Sequence, residues 1–169
     1  GERQARRRQA ESGHEIPFAE LHAHSHFSFL DGASSPEDMV EEAARLGLRG
    51  LALIDHDGFY GAIRFMKAAS EAALPTVYGA ELTLPAGFMA ALTGKSVHAV
   101  PVRSDAASTP RTGSADPEGE HLVLLARGIA GYRRLSSLMA RAHLAGPGKG
   151  EPLYRFEAVR ETLASGDVV

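Results

Sequence analysis

Cysteine is absent from this 169-residue chain, which excludes a disulfide framework, a thiolate metal site and a cysteine nucleophile. Long apolar runs are absent as well. None approaches the roughly 20 residues that span a bilayer, and no signal peptide is recognisable, so a cytoplasmic protein with no membrane partner is expected. A strong charge of either sign is missing: 18 Lys and Arg stand against 21 Asp and Glu, a net charge of −3. No overall basic field therefore advertises nucleic acid. There is no P-loop, no Gly-x-Ser-x-Gly elbow and no glycine-rich dinucleotide fingerprint. What remains is 44% hydrophobic and 23% charged, the balance of a globular domain with one core.

Residues 1–16 carry Arg3, Arg6, Arg7 and Arg8 and no aromatic residue. They are expected to form a disordered basic tail rather than a phosphate-binding arm. Both ends are expected to be cut, with Gly166-Asp167-Val168-Val169 reading as the opening of a buried strand. Between them the pattern alternates. Phe18–His22 predicts a first strand. Ser35-Pro36-Glu37-Asp38 predicts a helix start, with Met39, Val40, Ala43, Ala44 and Leu46 as its apolar face and Gly47 as its end. Leu51–Ile54 is apolar without alternation, as in a strand covered on both faces. Tyr60–Ala73 predicts a second helix with Ile63, Met66 and Ala69 inward, and Pro75–Tyr78 opens a third strand. A loop is expected at about 103–120, within a stretch that has no clear pattern. A fourth strand follows at Leu122–Leu125, then helices over Tyr132–His143 and Phe156–Ala164, with a turn at Gly146–Gly150. Repeated strand–helix units predict a parallel sheet, either a barrel or an open doubly wound sheet.

Residues of metal-ligand type recur at the strand ends. His22 and His24 are two apart, so on a strand both imidazoles point to one face. Alone, such a pair is weak, as surface histidines commonly fall two apart. Asp31 lies in a glycine-containing turn that could return a carboxylate over that strand, although turns hold aspartates for other reasons. His56 follows the apolar strand and is flanked by Asp55 and Asp57, candidates for orienting a ligand or handling a proton. Glu81 sits in an otherwise apolar strand, where a buried carboxylate costs several kcal/mol unless it is paired or metal-bound. His121 opens its strand. His26 reads as a rim residue, and His14, His98 and His143 read as peripheral. Taken together the six residues predict a polynuclear site for Zn, Mn or Fe rather than Ca, of the kind that activates water against phosphate esters.

At this point the residues match a family. Leu21-His22-Ala23-His24-Ser25, Phe29-Leu30-Asp31-Gly32-Ala33, Asp55-His56-Asp57-Gly58, Gly79-Ala80-Glu81 and His121-Leu122-Val123-Leu124-Leu125 resemble the polymerase-and-histidinol-phosphatase (PHP) domain. The chain is most similar to the N-terminal PHP domain of bacterial C-family DNA polymerases, the polymerase III alpha-subunit group. Within that group Ser28–Ser34, His121–Gly128, Gly131–Leu135 and Ala142–Gly146 resemble the error-prone, damage-tolerance paralogue. The resemblance implies an α/β fold, a distorted TIM-like βα barrel left incomplete over 17–169. It implies His22, His24, Asp31, His56, Glu81 and His121 as ligands of up to three divalent metals, Zn or Mn with Fe as a further candidate. A later Cys or His and an Asp-x-His pair of the family pattern would lie beyond Val169. For the full-length protein it implies a Mg-dependent DNA polymerase active in damage tolerance and repair. DNA, nucleotides and mutasome or replication-clamp components would be its partners, and the PHP site a metal-dependent 3′–5′ phosphodiester hydrolase. Two readings compete: a stand-alone phosphoesterase of the histidinol-phosphatase kind, and a metal-binding scaffold without catalysis. The isolated fragment, with its barrel open, is expected to behave poorly in solution.

Overall fold

The computed structural model of the chain describes residues 17–94 and 119–169. The expected tail at 1–16, His14, His98 and the expected loop up to residue 118 lie outside them. Strands β1 (Glu20–Ala23), β2 (Leu51–His56), β3 (Thr76–Leu84) and β4 (Glu120–Leu125) form one sheet in the order β1-β2-β3-β4. Helices α1 (Pro36–Arg45), α2 (Ala62–Glu71), α3 (Phe88–Thr93), α4 (Gly128–Ala145) and α5 (Phe156–Ala164) accompany it among the described residues. No helix among the described residues is long and apolar enough to cross a membrane.

The local signals act as read. Ser35 caps α1: its hydroxyl accepts from the Asp38 N–H at 3.1 Å, and the Asp38 carboxylate accepts from the Ser35 N–H at 3.2 Å. This reciprocal pair satisfies two donors at the helix start. Gly47 at φ +71° ends the helix, a conformation glycine adopts without cost. Strand β2 is buried along both faces until His56. Its outward residues Leu51 and Leu53 pack with Val40 and Ala43 of α1 and Phe65 and Ala69 of α2. A second core joins Ala80, Leu82, Leu84 and Leu124 to Leu135, Leu138 and Met139 of α4 and Val159 of α5.

Three expectations are corrected. The inward face of α2 is Ala62, Phe65 and Ala69, while Ile63 and Met66 stand exposed. The aromatic ring at 65 buries more area than the flexible Met, and it rotates the helix to put itself against the sheet. The stretch after Leu84 contains α3, held at its start by Glu120, whose carboxylate accepts from the N–H groups of Gly87 at 2.9 Å and Met89 at 2.6 Å. These bonds hold the Glu120 carboxyl below its usual range. Glu120, placed in the expected loop, therefore belongs to β4.

The third correction concerns direction. β1, β2 and β3 are mutually parallel, but β4 runs antiparallel to β3. Val169 exchanges both backbone hydrogen bonds with Leu125, at 2.7 and 3.0 Å, so the chain ends by pairing antiparallel along β4. The sheet is thus mixed, with helices packed on one of its faces. The antiparallel step decides where His121 goes.

Candidate metal centre

Register and alternation assemble the site. His56 pairs with Glu81 across β2 and β3, and Thr83 pairs with His121 across β3 and β4. Paired residues share a face, as do residues two apart, so His56, Glu81 and His121 project from the same side of the sheet. Because β4 is antiparallel, its first residues lie beside the last residues of β3. That is how a histidine opening its strand joins residues that close theirs.

The other ligands arrive from β1. The pairing of β1 with β2 shifts between Glu20 and Ala23, and a bulge of this kind re-aims side chains. His22 Nε2 and His24 Nε2 both reach Oε2 of Glu81, at 2.5 and 3.0 Å, while His121 Nδ1 reaches its Oε1 at 2.7 Å. The loop after His24 returns Asp31, whose Oδ2 contacts His24 Nδ1 and lies 3.3 Å from His56 Nε2. The imidazoles also pack in a row, with centroid separations of 5.1 Å for His22–His24, 4.6 Å for His24–His56 and 5.4 Å for His56–His121.

All six expected ligands are therefore brought together. They form three overlapping groups whose donor atoms lie within 4.8 Å of one another: His22–His24–Glu81, His24–Asp31–His56 and His56–Glu81–His121. Burial would raise the Glu81 carboxyl, but the hydrogen bonds and charge of His22, His121 and His24 hold it below its usual range. Asp31 follows the same balance: burial raises it, and His24 with His56 lowers it further than burial lifts it. The donor set fits a cation. Two carboxylates stand amid four imidazoles, and His56 Nδ1 is buried without a hydrogen-bond partner, a cost that native cores avoid.

The two flanking aspartates find their hydrogen-bond partners outside the donor cluster. Strand alternation sends Asp55 to the face opposite His56. There its carboxylate, almost wholly buried, accepts from the Ser25 N–H at 2.8 Å, from the Ser25 hydroxyl at 2.8 and 3.0 Å and from the Ser28 hydroxyl at 2.8 Å. The Ser28 hydroxyl also accepts from the His56 N–H at 3.1 Å. Asp55 thus pins the loop that carries His24 and Asp31 to the strand that carries His56. Asp57 adopts a left-handed φ of +51°. Its Oδ1 accepts from Thr83 N–H at 3.0 Å and Tyr154 hydroxyl at 2.8 Å, and its carbonyl accepts from His143 Nε2 at 2.8 Å. Neither carboxylate has a ligand imidazole among its hydrogen-bond partners within the described residues.

Ser25, Ser28, Tyr154 and His143 were not legible as supporting residues. The serines carry no periodic signal beyond their contact with the motif, and the other two lie 86 and 97 residues from Asp57. His26, as expected, stands outside the three donor groups, packed against Phe27 with centroids 4.6 Å apart.

Tyr154 offers a pH test. Burial, then the charge and hydrogen bond of Asp57, push its phenol well above the usual tyrosine range. A folded pKa above the unfolded one means the protonated phenol contributes fully below about pH 10 and loses that contribution as the pH rises further. Tyr154→Phe is expected to flatten the alkaline limb of the stability profile, measured by denaturant titration at stepped pH. An unchanged limb would remove Tyr154 as its source.

A model of the PHP domain matches residues 20–166. An error-prone DNA polymerase of Mycolicibacterium paratuberculosis is 56% identical over 146 residues, covering 86% of this chain and 11% of that protein. One from Nocardia farcinica is 53% identical over 165 residues, covering 89% of this chain and 14% of that protein. The solved structure of an amidohydrolase from Chromobacterium violaceum aligns at 21% identity and a TM-score of 0.44, over 75% of this chain and 33% of that one. The chain thus spans 11 to 14% of the length of the two polymerase relatives. On the matched residues and the site they build, this chain belongs to the PHP domain family.

Proposed function

We propose that this chain is the PHP portion of an error-prone DNA polymerase, and that its six-residue centre is a metal-dependent 3′–5′ phosphodiester hydrolase. The observation that carries the reading is the convergence of four imidazoles and two carboxylates in three overlapping donor groups. The printed names of relatives at 53 to 56% identity supply the polymerase. The full-length protein would be a cytoplasmic nucleotidyltransferase with Mg at its polymerase site. DNA and nucleotides would be its substrates, and mutasome or clamp components its partners in damage tolerance and repair.

Zn, Mn or Fe, up to three ions, suits the mixed donor set. Bound there, such ions would lower the pKa of a water and neutralise charge on phosphate oxygens. The chain's own part is positional. Glu81 ties two donor groups together, Asp31 closes the third, and the Asp55–Ser25–Ser28 bonds hold both ligand segments in place. His22, about half exposed, forms the solvent side of the centre where a strand would enter. Asp55 and Asp57 act through the elements they hold rather than on substrate.

The test uses the full-length polypeptide: metal content by mass spectrometry, and 3′–5′ degradation of a primer strand with added Mn or Zn. Two or three bound ions, with cleavage abolished by joint His22→Ala and His24→Ala substitution, is the expected result. Bound metal without cleavage of DNA or small phosphate esters would leave a structural centre in its place.

A further inference from the structure

The geometry points to a base-stacking platform beside the metal centre, formed by Phe27, Phe29 and Tyr60 and suited to the unpaired terminal bases of a nucleic-acid strand. The inference rests on the hydrolase reading above and adds to it what holds the substrate.

Its first observation is the way the loop between His24 and Asp31 is built. Ser25 and Ser28 are buried and tied to Asp55, while Phe27 between them and Phe29 and Leu30 after them stand exposed. Phe29 is 79% exposed, and Phe27 and Leu30 are also open to solvent. Leu30 adopts φ +68°, a left-handed conformation that is costly for a bulky residue. Gly32 seals the loop base so closely that a Cβ there would meet the Ser25 carbonyl oxygen at 2.0 Å. An anchored, strained loop that displays aromatic rings to water gains nothing in folding by doing so.

The second observation is that two of these rings, Phe27 and Tyr60, are placed rather than loose. Tyr60, 59% exposed, lies folded over Gly58, where a Cβ would meet its ring at 2.3 Å. Phe27 and Tyr60 form a tilted pair with centroids 6.5 Å apart and planes at 32°. The Arg64 guanidinium sits 5.9 Å above the Phe27 ring and is held there by Glu37 at 2.7 Å. Both rings spring from segments that also carry ligands, Phe27 from the His24–Asp31 loop and Tyr60 from the turn after His56. A nucleotide joins a flat π-face to a phosphodiester within one monomer, so one strand can occupy rings and metal centre together. A small aliphatic phosphate ester has nothing to set against the rings. Stacking on aromatic faces tolerates any base, which suits an enzyme that removes whatever nucleotide ends the strand.

The test is made on the full-length polypeptide with a single strand bearing 5-iodouracil at its 3′ end. Photocrosslinking followed by peptide mapping is expected to place the terminal base on the 25–32 loop or on Tyr60. Phe29→Ala is expected to remove that crosslink and raise KM for strand degradation by about 5- to 100-fold, with kcat, metal content and the salt dependence of binding retained. Salt dependence tracks phosphate contacts, which an uncharged ring does not supply. Phe29→Trp should restore both readouts. Ile129→Ala, an exposed apolar change in the first turn of α4, should alter neither. A crosslink and KM unchanged in Phe29→Ala would overturn the platform, and a changed protease pattern alongside them would assign the rings to packing against another domain. Loss of cleavage in the wild type with the crosslink intact would instead count against the hydrolase reading alone.

Discussion

Replacing Glu81 with glutamine is expected to reduce the metal content of the full-length polypeptide from up to three ions to at most one. Glu81 receives His22 and His24 on one oxygen and His121 on the other, and it belongs to two of the three donor groups. Glutamine keeps the shape and loses the charge. Its amide offers one acceptor oxygen and a donor nitrogen, so it cannot face imidazoles or cations from both ends. Only His24–Asp31–His56 would then retain its full donor set. Loss of outer partners of metal ligands typically costs 10- to 100-fold in affinity or activity, so loss of a shared ligand should cost at least about 100-fold in strand cleavage. Elemental analysis together with a cleavage assay decides it. Unchanged stoichiometry would mean that Glu81 is a buried ion-pair partner and that the centre is not built around it.

The second large effect is expected at a residue that touches no ligand imidazole. Asp55→Ala removes a buried carboxylate that accepts one backbone and several hydroxyl contacts from Ser25 and Ser28. Charge-assisted hydrogen bonds contribute about 1.5–3 kcal/mol each, and the Ser25 N–H is left buried without its acceptor. A loss of about 3–4 kcal/mol follows. Because the loop carries His24 and Asp31, metal affinity should fall with it by roughly 10- to 100-fold. Hydrogen exchange of the 25–32 peptides in the full-length polypeptide is the direct readout, and protection there should collapse while β3 and β4 retain theirs. Asp55→Asn keeps one acceptor oxygen and should lie between. Unchanged protection would show that the backbone turns alone, such as Asp31 N–H to Ser28 carbonyl at 3.0 Å, suffice to hold the loop.

Much of this was legible in the chain. The Ser35 cap, the Gly47 stop and the doubly buried Leu51–Ile54 run are local features, and local chemistry is enough to specify them. The six residues that cluster were legible for a related reason: a carboxylate inside an apolar strand and histidines at strand ends are costly placements that demand a partner. Alternation also assigns Asp55 and His56 to opposite faces once β2 is recognised, so the flanking aspartates could have been separated from the ligands on sequence grounds. Ile63 and Met66 were misassigned because both are apolar at helical spacing, and only competition with Phe65 for the sheet resolves which face turns inward.

By itself, then, the sequence determined which residues are candidates for the chemistry, the α1 start and stop, and an α/β frame with those candidates gathered at strand ends. Those are properties of residue type and short-range periodicity. Tertiary structure alone decided that β4 runs against β3, because strand direction depends on how a connection returns and leaves no mark on periodicity. That reversal carries His121 to Glu81. It decided too that Asp55 braces the ligand loop through Ser25 and Ser28, and that His143 of α4 and Tyr154 of the segment before α5 close over Asp57. Each is a contact between residues far apart in the chain, set by packing that no local pattern encodes.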